Sequence, residues 1–163
     1  MTVSVRDARA SREQRRWLEA AYGEWLLEMG ASAAPVDVAA AELARWLEAD
    51  DAAVMLVMRD HEPAGFAVIT WRGAKERPDE YRMVEFFVTR AHRRGGVGRA
   101  AVCLLLDRFA GHWQIAEPQG NTTAVAFWRS VVAQYTHGKF RERVADGQVF
   151  QLFLSGPERL RRA

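Results

Sequence analysis

Glu85-Phe86-Phe87-Val88-Thr89-Arg90-Ala91-His92-Arg93-Arg94-Gly95-Gly96-Val97-Gly98-Arg99 is the stretch that decides how this chain folds. Met83 to Val88 is apolar except for Glu85, and it predicts a strand. From Val97 to about Phe109 the pattern predicts a helix. Between them, three glycines alternate with a local cluster of Arg90, His92, Arg93, Arg94 and Arg99. The first turn of a helix has N–H groups without intrahelical partners, and the helix dipole puts about half a positive charge there. Gly95, Gly96 and Gly98 let the backbone approach a ligand closely and take positive φ. The combination predicts a cradle for a pyrophosphate, with Arg93, Arg94 and Arg99 adding charge at its rim. A plain strand-to-helix connection needs neither the glycines nor the bases.

Downstream, Trp113 to Ala116 predicts a short strand. Asn121 caps a helix that carries Ala124, Phe127 and Trp128 and runs to about Val132. Phe140 to Val144 and Val149 to Leu154 form a closing hairpin around Asp146-Gly147. Upstream, Ala53 to Met58 and Phe66 to Trp71 pair across the turn His61 to Gly65, and Arg72 to Glu80 is expected as a polar loop. Val3-Ser4-Val5 reads as a first strand. Ser11, with Gln14 three residues on, caps a helix carrying Trp17, Leu18, Ala21, Trp25 and Met29, which stops at Gly30. Pro35 and Asp37 open a second helix, with Ala40, Leu43, Ala44 and Leu47 on one face. Strand-helix-strand units in the middle require parallel pairing, and the flanking hairpins make the sheet mixed. The fold class is α/β, a single domain over residues 1–163 with helices on both faces of a mixed central sheet.

Several of these features together resemble the GNAT superfamily of acyltransferases. Arg93-x-x-Gly96-x-Gly98 matches that superfamily's (Q/R)-x-x-G-x-(G/A) signature. Glu85 to Val88 looks like the strand that precedes it, and Asn121-x-x-Ala124-x-x-Phe127-Trp128 resembles the next motif. The resemblance runs from Ala53 to Leu154 and implies a GNAT-like fold and N-acetyltransferase activity with acetyl-CoA as co-substrate. It further implies that backbone amides from Arg94 through Gly95, Gly96, Val97 and Gly98 to Arg99 hold the coenzyme pyrophosphate. Phe86 and Val88 would pair with the pantetheine arm, and the Val88 amide would polarise the thioester carbonyl. Asn121, Phe127 and Trp128 would line the arm's far side.

The same glycines admit a rival. Gly96-x-Gly98-x-x-Ala101 also fits a dinucleotide fingerprint, with Glu117 about twenty residues on. That fingerprint opens directly off its strand, whereas Thr89 to Gly95 intervene here. A dinucleotide-dependent oxidoreductase is therefore the weaker reading.

An alkylamine with a pKa near 10.4 is protonated at neutral pH, and freeing its lone pair costs about 4–5 kcal/mol. Releasing a coenzyme thiol as thiolate costs only about 2 kcal/mol. The base therefore matters more than the acid. Glu85, in an apolar strand, is the candidate base, acting directly or through a water with burial raising its pKa; the plainer reading is a carboxylate that pairs with an arginine or faces solvent. The superfamily's usual acid is a tyrosine, and Trp128 stands at the matching position. That departure leaves three readings: Tyr135 as a packing residue with solvent reprotonating the thiolate, Tyr135 as a substitute acid, or a catalytically weak acyl-CoA-binding regulatory domain. Tyr22, Glu24, Trp25 and Glu28 on the first helix read as a solvated acidic face or as part of an acceptor pocket. Cys103 is expected as a buried, inert thiol, and the four histidines show no metal-ligand spacing, so no metal is expected.

The net charge is +2 with both signs mixed, which argues against a nucleic-acid surface. No leader, bilayer-spanning run or second cysteine is seen, so a cytoplasmic protein without a membrane partner is expected. The expected partner is a small-molecule or peptide amine acceptor. A homodimer through the C-terminal strands is compatible with the sequence. The tail Arg159-Leu160-Arg161-Arg162 reads as a solvated end.

Overall fold

A computed structural model describes residues 1–30 and 36–157. The elements are β1 (Val3–Asp7), α1 (Arg15–Glu28), α2 (Val36–Glu48), β2 (Ala52–Arg59), β3 (Glu62–Ala74), β4 (Arg77–Val88), α3 (Val97–Arg108), β5 (His112–Pro118), α4 (Thr122–Thr136), β6 (Phe140–Ala145) and β7 (Gln148–Leu154). Single 3-10 turns occupy Ala8–Ala10, Arg12–Gln14 and Arg90–His92. The sheet is seven-stranded in the order β1-β2-β3-β4-β5-β7-β6. β4 and β5 run parallel, with Tyr81 opposite Trp113 and Arg82 opposite Gln114. β1 pairs antiparallel with β2, and β7 pairs antiparallel with both β5 and β6. The mixed sheet expected from the strand-helix-strand order is therefore present.

The chain packs as two compact units, and β3, β4 and α3 contribute to both. The first holds Met1–Ile69 and Val84–Ala101. Its main core joins Leu18, Ala21 and Tyr22 of α1 to Leu43 of α2, and both to Val54, Leu56, Met58, Phe66, Val68 and Phe87 of the sheet. A second cluster joins Val57 and Ala64 to Val97 and Ala101 of α3, with Val3, Val5, Phe86 and Val88 packed against it. Burying each large apolar side chain contributes about 2 kcal/mol. Arg9 ties down the end of α2: its guanidinium donates to the carbonyls of Leu47 at 2.8 Å, Ala49 at 2.7 Å and Ala52 at 2.9 Å. Carbonyls at a helix C-terminus have no partner within the helix, and a cation there is also favoured by the dipole.

The second unit holds Thr70–Met83 and the chain from Val102 onward. Tyr81 stacks on Trp113 at 5.3 Å, and Trp113 stacks on Phe153 at 6.5 Å. Val131 and Val132 of α4 are fully buried. Ser155 donates to the carbonyls of Leu106 and Phe109, which fastens the segment after β7 to the end of α3.

Three expectations change. Arg72 to Glu80 is no loop: β3 continues to Ala74 and β4 begins at Arg77. Most of these residues are exposed, so polarity there marks a solvated ribbon rather than a break. Ser11 makes no capping bond to a helix amide; its hydroxyl bonds the Gln14 side chain at 2.8 Å, and α1 starts later, at Arg15. α4 runs on to Thr136, which places Tyr135 inside it. Pro35 and the tail Arg159 to Arg162 lie outside the described residues.

Candidate active site

β4 alternates as a half-buried strand should. Met83, Glu85 and Phe87 are buried, while Phe86 and Val88 are half-buried and pack with Val97 and Ala101 of α3. The chain then makes the 3-10 turn Arg90–His92 and enters α3 at Val97. The turn is fastened at its start, where the Thr89 amide donates to the Ala64 carbonyl at 2.9 Å and the Thr89 hydroxyl bonds His92 Nδ1 at 2.9 Å. Val97 is buried and anchors the helix start. Arg94 and Gly96 take φ of 68° and 77°, so the left-handed positions expected of the glycines are shared between an arginine and one glycine. A Cβ at Gly96 would meet nothing within 4 Å. Glycine there serves the backbone conformation, and the space beside it is open. Residues 93–96 are all exposed.

Arg93 does something the sequence did not show. Its Nε donates to the Val88 carbonyl at 2.9 Å, and its terminal nitrogen meets Glu28 at 2.7 Å. The guanidinium also lies over the Phe87 ring, 5.2 Å from the centroid. These contacts make Arg93 a clamp that ties the turn to β4 and α1, rather than charge left free at the rim. Arg90 stands 3.6 Å from the same Glu28. The Arg59 guanidinium lies 3.8 Å from where a Gly95 Cβ would sit, which adds a cation beside the turn from β2. No local signal in the sequence joins residues so far apart. Gly65 is a second feature not foreseen. A Cβ there would come within 2.2 Å of the Phe87 carbonyl oxygen, so only glycine lets β3 lie this close to the end of β4.

Glu85 sits where its strand position predicts, 8% exposed on the core face. Its Oε1 accepts from the Tyr22 hydroxyl at 2.8 Å, and its Oε2 has no partner. Burial pushes its pKa up to about 7. The Tyr22 hydrogen bond, the nearby Trp46 indole and Arg45 pull it down, while the Glu42 charge pushes it further up. The Trp46 N–H is buried and makes no hydrogen bond of good geometry. The Tyr22 hydroxyl also lies 3.2 Å from Glu42 Oε2. Tyr22, fully buried, is raised well above the ordinary phenol value, first by burial and then by Glu85. Of the four α1 residues read as a solvated face or pocket, Tyr22 is thus part of the core, and Glu28 is an anchor for the turn.

Glu85, Phe86, Val88 and the turn residues Arg93, Arg94, Gly95, Gly96, Val97, Gly98 and Arg99 all belong to the first unit. Asn121, Phe127 and Trp128 belong to the second. Asn121 caps α4 as expected, its Oδ1 accepting from the Ala124 amide at 3.1 Å. Phe127 meets Trp128 edge-on at 5.1 Å. Tyr135 donates to Asp107 at 2.6 Å and lies 3.1 Å from both the Gly156 carbonyl and the Gly156 amide. It is a fully engaged buried hydroxyl. Cys103 is half-buried rather than buried as expected, because it lies on the flank of the α3 face formed by Ala101, Val102, Leu105 and Leu106.

The dinucleotide reading loses its Glu117 support, and the objection to it stands. Residues 89–96 separate strand from helix, and Glu117 is 3% exposed, held by Gln151 Nε2 at 2.5 Å instead of facing a ribose. Among the described residues, no group of histidine, cysteine and carboxylate side chains converges to hold a metal, and no helix is long and apolar enough to cross a membrane.

Comparisons with known proteins agree with this geometry. The chain superposes on an acetyltransferase from Thermus thermophilus with a TM-score of 0.69 at 14% identity, covering 94% of this chain and 97% of that one. It superposes on a phosphinothricin acetyltransferase from Sinorhizobium meliloti, solved with acetyl-CoA, with a TM-score of 0.67 at 15% identity, covering 96% and 90%. A ribosomal-protein-alanine N-acetyltransferase from Brucella melitensis gives 0.63 at 18% identity, covering 93% and 99%. Identities this low speak for the fold alone. No curated protein matches in sequence. The family model of the acetyltransferase (GNAT) family matches residues 12–131, which include Glu85, the glycine turn and the start of α4. With most of its length matched by that model, the chain belongs to the acetyltransferase (GNAT) family.

Proposed function

We propose that this chain moves an acetyl group from acetyl-CoA to a small-molecule or peptide amine by direct attack, with Glu85 as base. Glu85 carries the reading. It is a buried carboxyl with a pKa near 7 and one oxygen unengaged, in the strand that leads into the turn. A base with a pKa near the working pH is deprotonated often enough to act and basic enough to take a proton from an ammonium group.

The coenzyme reading rests on the turn. The exposed backbone from Arg94 to Gly96, bent by two left-handed residues and running into the first turn of α3, fits a pyrophosphate with backbone amides from Arg94 to Arg99. When bound, acetyl-CoA supplies the acetyl group as an activated thioester. The Phe86 and Val88 backbone would receive the pantetheine arm, and the Val88 amide would polarise the carbonyl. Arg93, which holds the Val88 carbonyl, would fix that end of β4 for the task. Asn121, Phe127 and Trp128 are assigned as further coenzyme contacts. With Trp128 in place of a proton donor and Tyr135 fully engaged, solvent protonates the departing thiolate. In this reading residues 1–163 act as one catalytic domain in the cytoplasm, with neither nucleic acid nor membrane as partner.

Calorimetric titration with acetyl-CoA tests the cradle, with NADP as comparison. Micromolar binding is expected for acetyl-CoA and is lost in Gly96→Glu. An amine panel with thiol detection then tests transfer, and Glu85→Gln is expected to lower turnover far more than coenzyme affinity. Coenzyme binding without thiol release on any amine would instead favour a regulatory acyl-CoA-binding domain.

A further inference from the structure

A buried base must lose the proton it gains before it can act again. Glu85 is 8% exposed, so direct exchange with bulk water is poor. One connected route leads outward. Tyr22 Oη stands 2.8 Å from Glu85 Oε1 and 3.2 Å from Glu42 Oε2, and Glu42, in the middle of α2, is half-buried. A phenol has one proton, so it donates to one carboxylate at a time while its oxygen can accept from the other. We propose that Tyr22 and Glu42 are the proton exit of Glu85, with the Tyr22 hydroxyl as relay and the Glu42 carboxylate as the outer acceptor.

The inference rests on Glu85 being the base. The acceptor enters as R–NH3+ and gives one proton to Glu85, which becomes a carboxylic acid. The free nitrogen lone pair forms the C–N bond, and the C–S bond breaks with its electrons left on sulfur. The second nitrogen proton goes through solvent to the thiolate. The Glu85 carboxyl rotates and passes its proton to Tyr22 Oη as the Tyr22 proton passes to Glu42, which releases it to water. The net products are the amide, the coenzyme thiol and one proton. The hand-over at Tyr22 is concerted, because burial and Glu85 together disfavour a free tyrosinate. The polar groups around the carboxyl are Tyr22 from α1 and Glu42, Arg45 and Trp46 from α2. Of these, Glu42 is the carboxylate that the Tyr22 hydroxyl reaches besides Glu85.

The test compares Glu85→Gln, Tyr22→Phe, Glu42→Gln and Glu42→Asp in the full chain. Turnover is read by thiol release at saturating acetyl-CoA, with n-butylamine as probe. Glu42→Gln and Tyr22→Phe are expected to lower kcat about tenfold, less than the roughly hundredfold or more that loss of the base itself costs, with KM for acetyl-CoA unchanged. Formate or imidazole added to Glu42→Gln should restore part of the rate, as should Glu42→Asp, whereas Glu85→Gln should stay slow under both buffers. A packing role alone would give no buffer rescue. In the absence of substrate, 13C NMR of labelled glutamate carboxyls follows Glu85 directly, and Glu42→Gln should move its titration midpoint downward. Loss of turnover in Glu85→Gln with normal rates and an unmoved Glu85 midpoint in Glu42→Gln would overturn the exit path and leave the base. Full turnover in Glu85→Gln would remove the base itself. If the unsubstituted chain does not turn over n-butylamine, the same comparison is run with an amine of the panel that gives thiol release, and no thiol release with any amine would remove the base and its exit path together.

Discussion

Arg93 in the turn after β4 and Glu28 at the end of α1 meet at 2.7 Å, and the same guanidinium holds the Val88 carbonyl and covers the Phe87 ring. One planar side chain thus joins a helix end, a strand end and the glycine turn. A lysine has the charge but lacks the fork needed for two directed bonds.

Arg93→Lys should therefore loosen the turn without unfolding the chain. Arg93 is partly exposed, at 38%, so screening keeps the ion pair itself small and the expected loss of stability is about 1 kcal/mol. Acetyl-CoA affinity should fall severalfold, because a cradle that must be ordered on binding holds its ligand less tightly. Thermal unfolding and calorimetry at low and high salt check both statements. An affinity equal to the unsubstituted chain's would deny Arg93 its clamping role.

Gly65 and Gly96 predict opposite phenotypes. Gly65→Ala forces a Cβ to within 2.2 Å of the Phe87 carbonyl, so the strands must separate, and a loss of about 3 kcal/mol or more is expected. Gly96→Ala meets open space, and its strain comes only from φ 77°, about 1 kcal/mol. The first variant should show a large drop in unfolding midpoint; the second should stay folded and lose mainly coenzyme affinity. Equal midpoints in a chemical denaturation series would contradict the close approach at Gly65.

Two buried carboxyls set the pH response. Glu85 and Glu117 are both pushed up to about 7, in each case first by burial. In the unfolded chain they titrate near the ordinary glutamate value, so between about pH 4.5 and 7 the folded state binds more protons. These groups therefore make stability fall as pH rises through that window and level off above it, by at most on the order of 3 kcal/mol each. Glu117→Gln should stabilise the protein at pH 8 and leave it nearly unchanged at pH 4.5. Turnover should rise with pH through about 7 as Glu85 ionises. A stability gain of Glu117→Gln that is the same at both pH values would show that Glu117 is not the group responsible.

Tyr135→Phe separates packing from proton donation. The hydroxyl is engaged by Asp107 and by both backbone groups of Gly156. Removing it leaves those partners unsatisfied and should lower stability by about 1–3 kcal/mol. Turnover should stay within about twofold, since an acid step would lose on the order of a hundredfold. A rate loss that large in a folded variant would restore Tyr135 as the acid.

The sequence was most readable where periodicity and special residues coincide. The apolar run of β4 broken only by Glu85, the glycine turn and the Asn121 cap each name their element and their position in it. It was least readable where exposure removes the hydropathy signal, as in the ribbon from Arg72 to Glu80, or where a cap has a competing partner, as Ser11 finds in Gln14. In the site, Glu85 was visible as a charge in an apolar strand. Its partners Tyr22 and Glu42 were not, because they come from two other helices and only the packed core brings them to it. For the same reason the clamp of Arg93 on Glu28 and the approach of Arg59 to Gly95 could not be read from local pattern.

Arg94 stands at φ 68°, in a conformation where glycine would rest more easily by about 1 kcal/mol. Two selections would thus pull this position apart. A library sorted for heat resistance should drift toward glycine or asparagine here, and one sorted for coenzyme capture at scarce supply should return the arginine. The distance between the two winners would measure what a cation at the mouth of the turn is worth to the organism that keeps it.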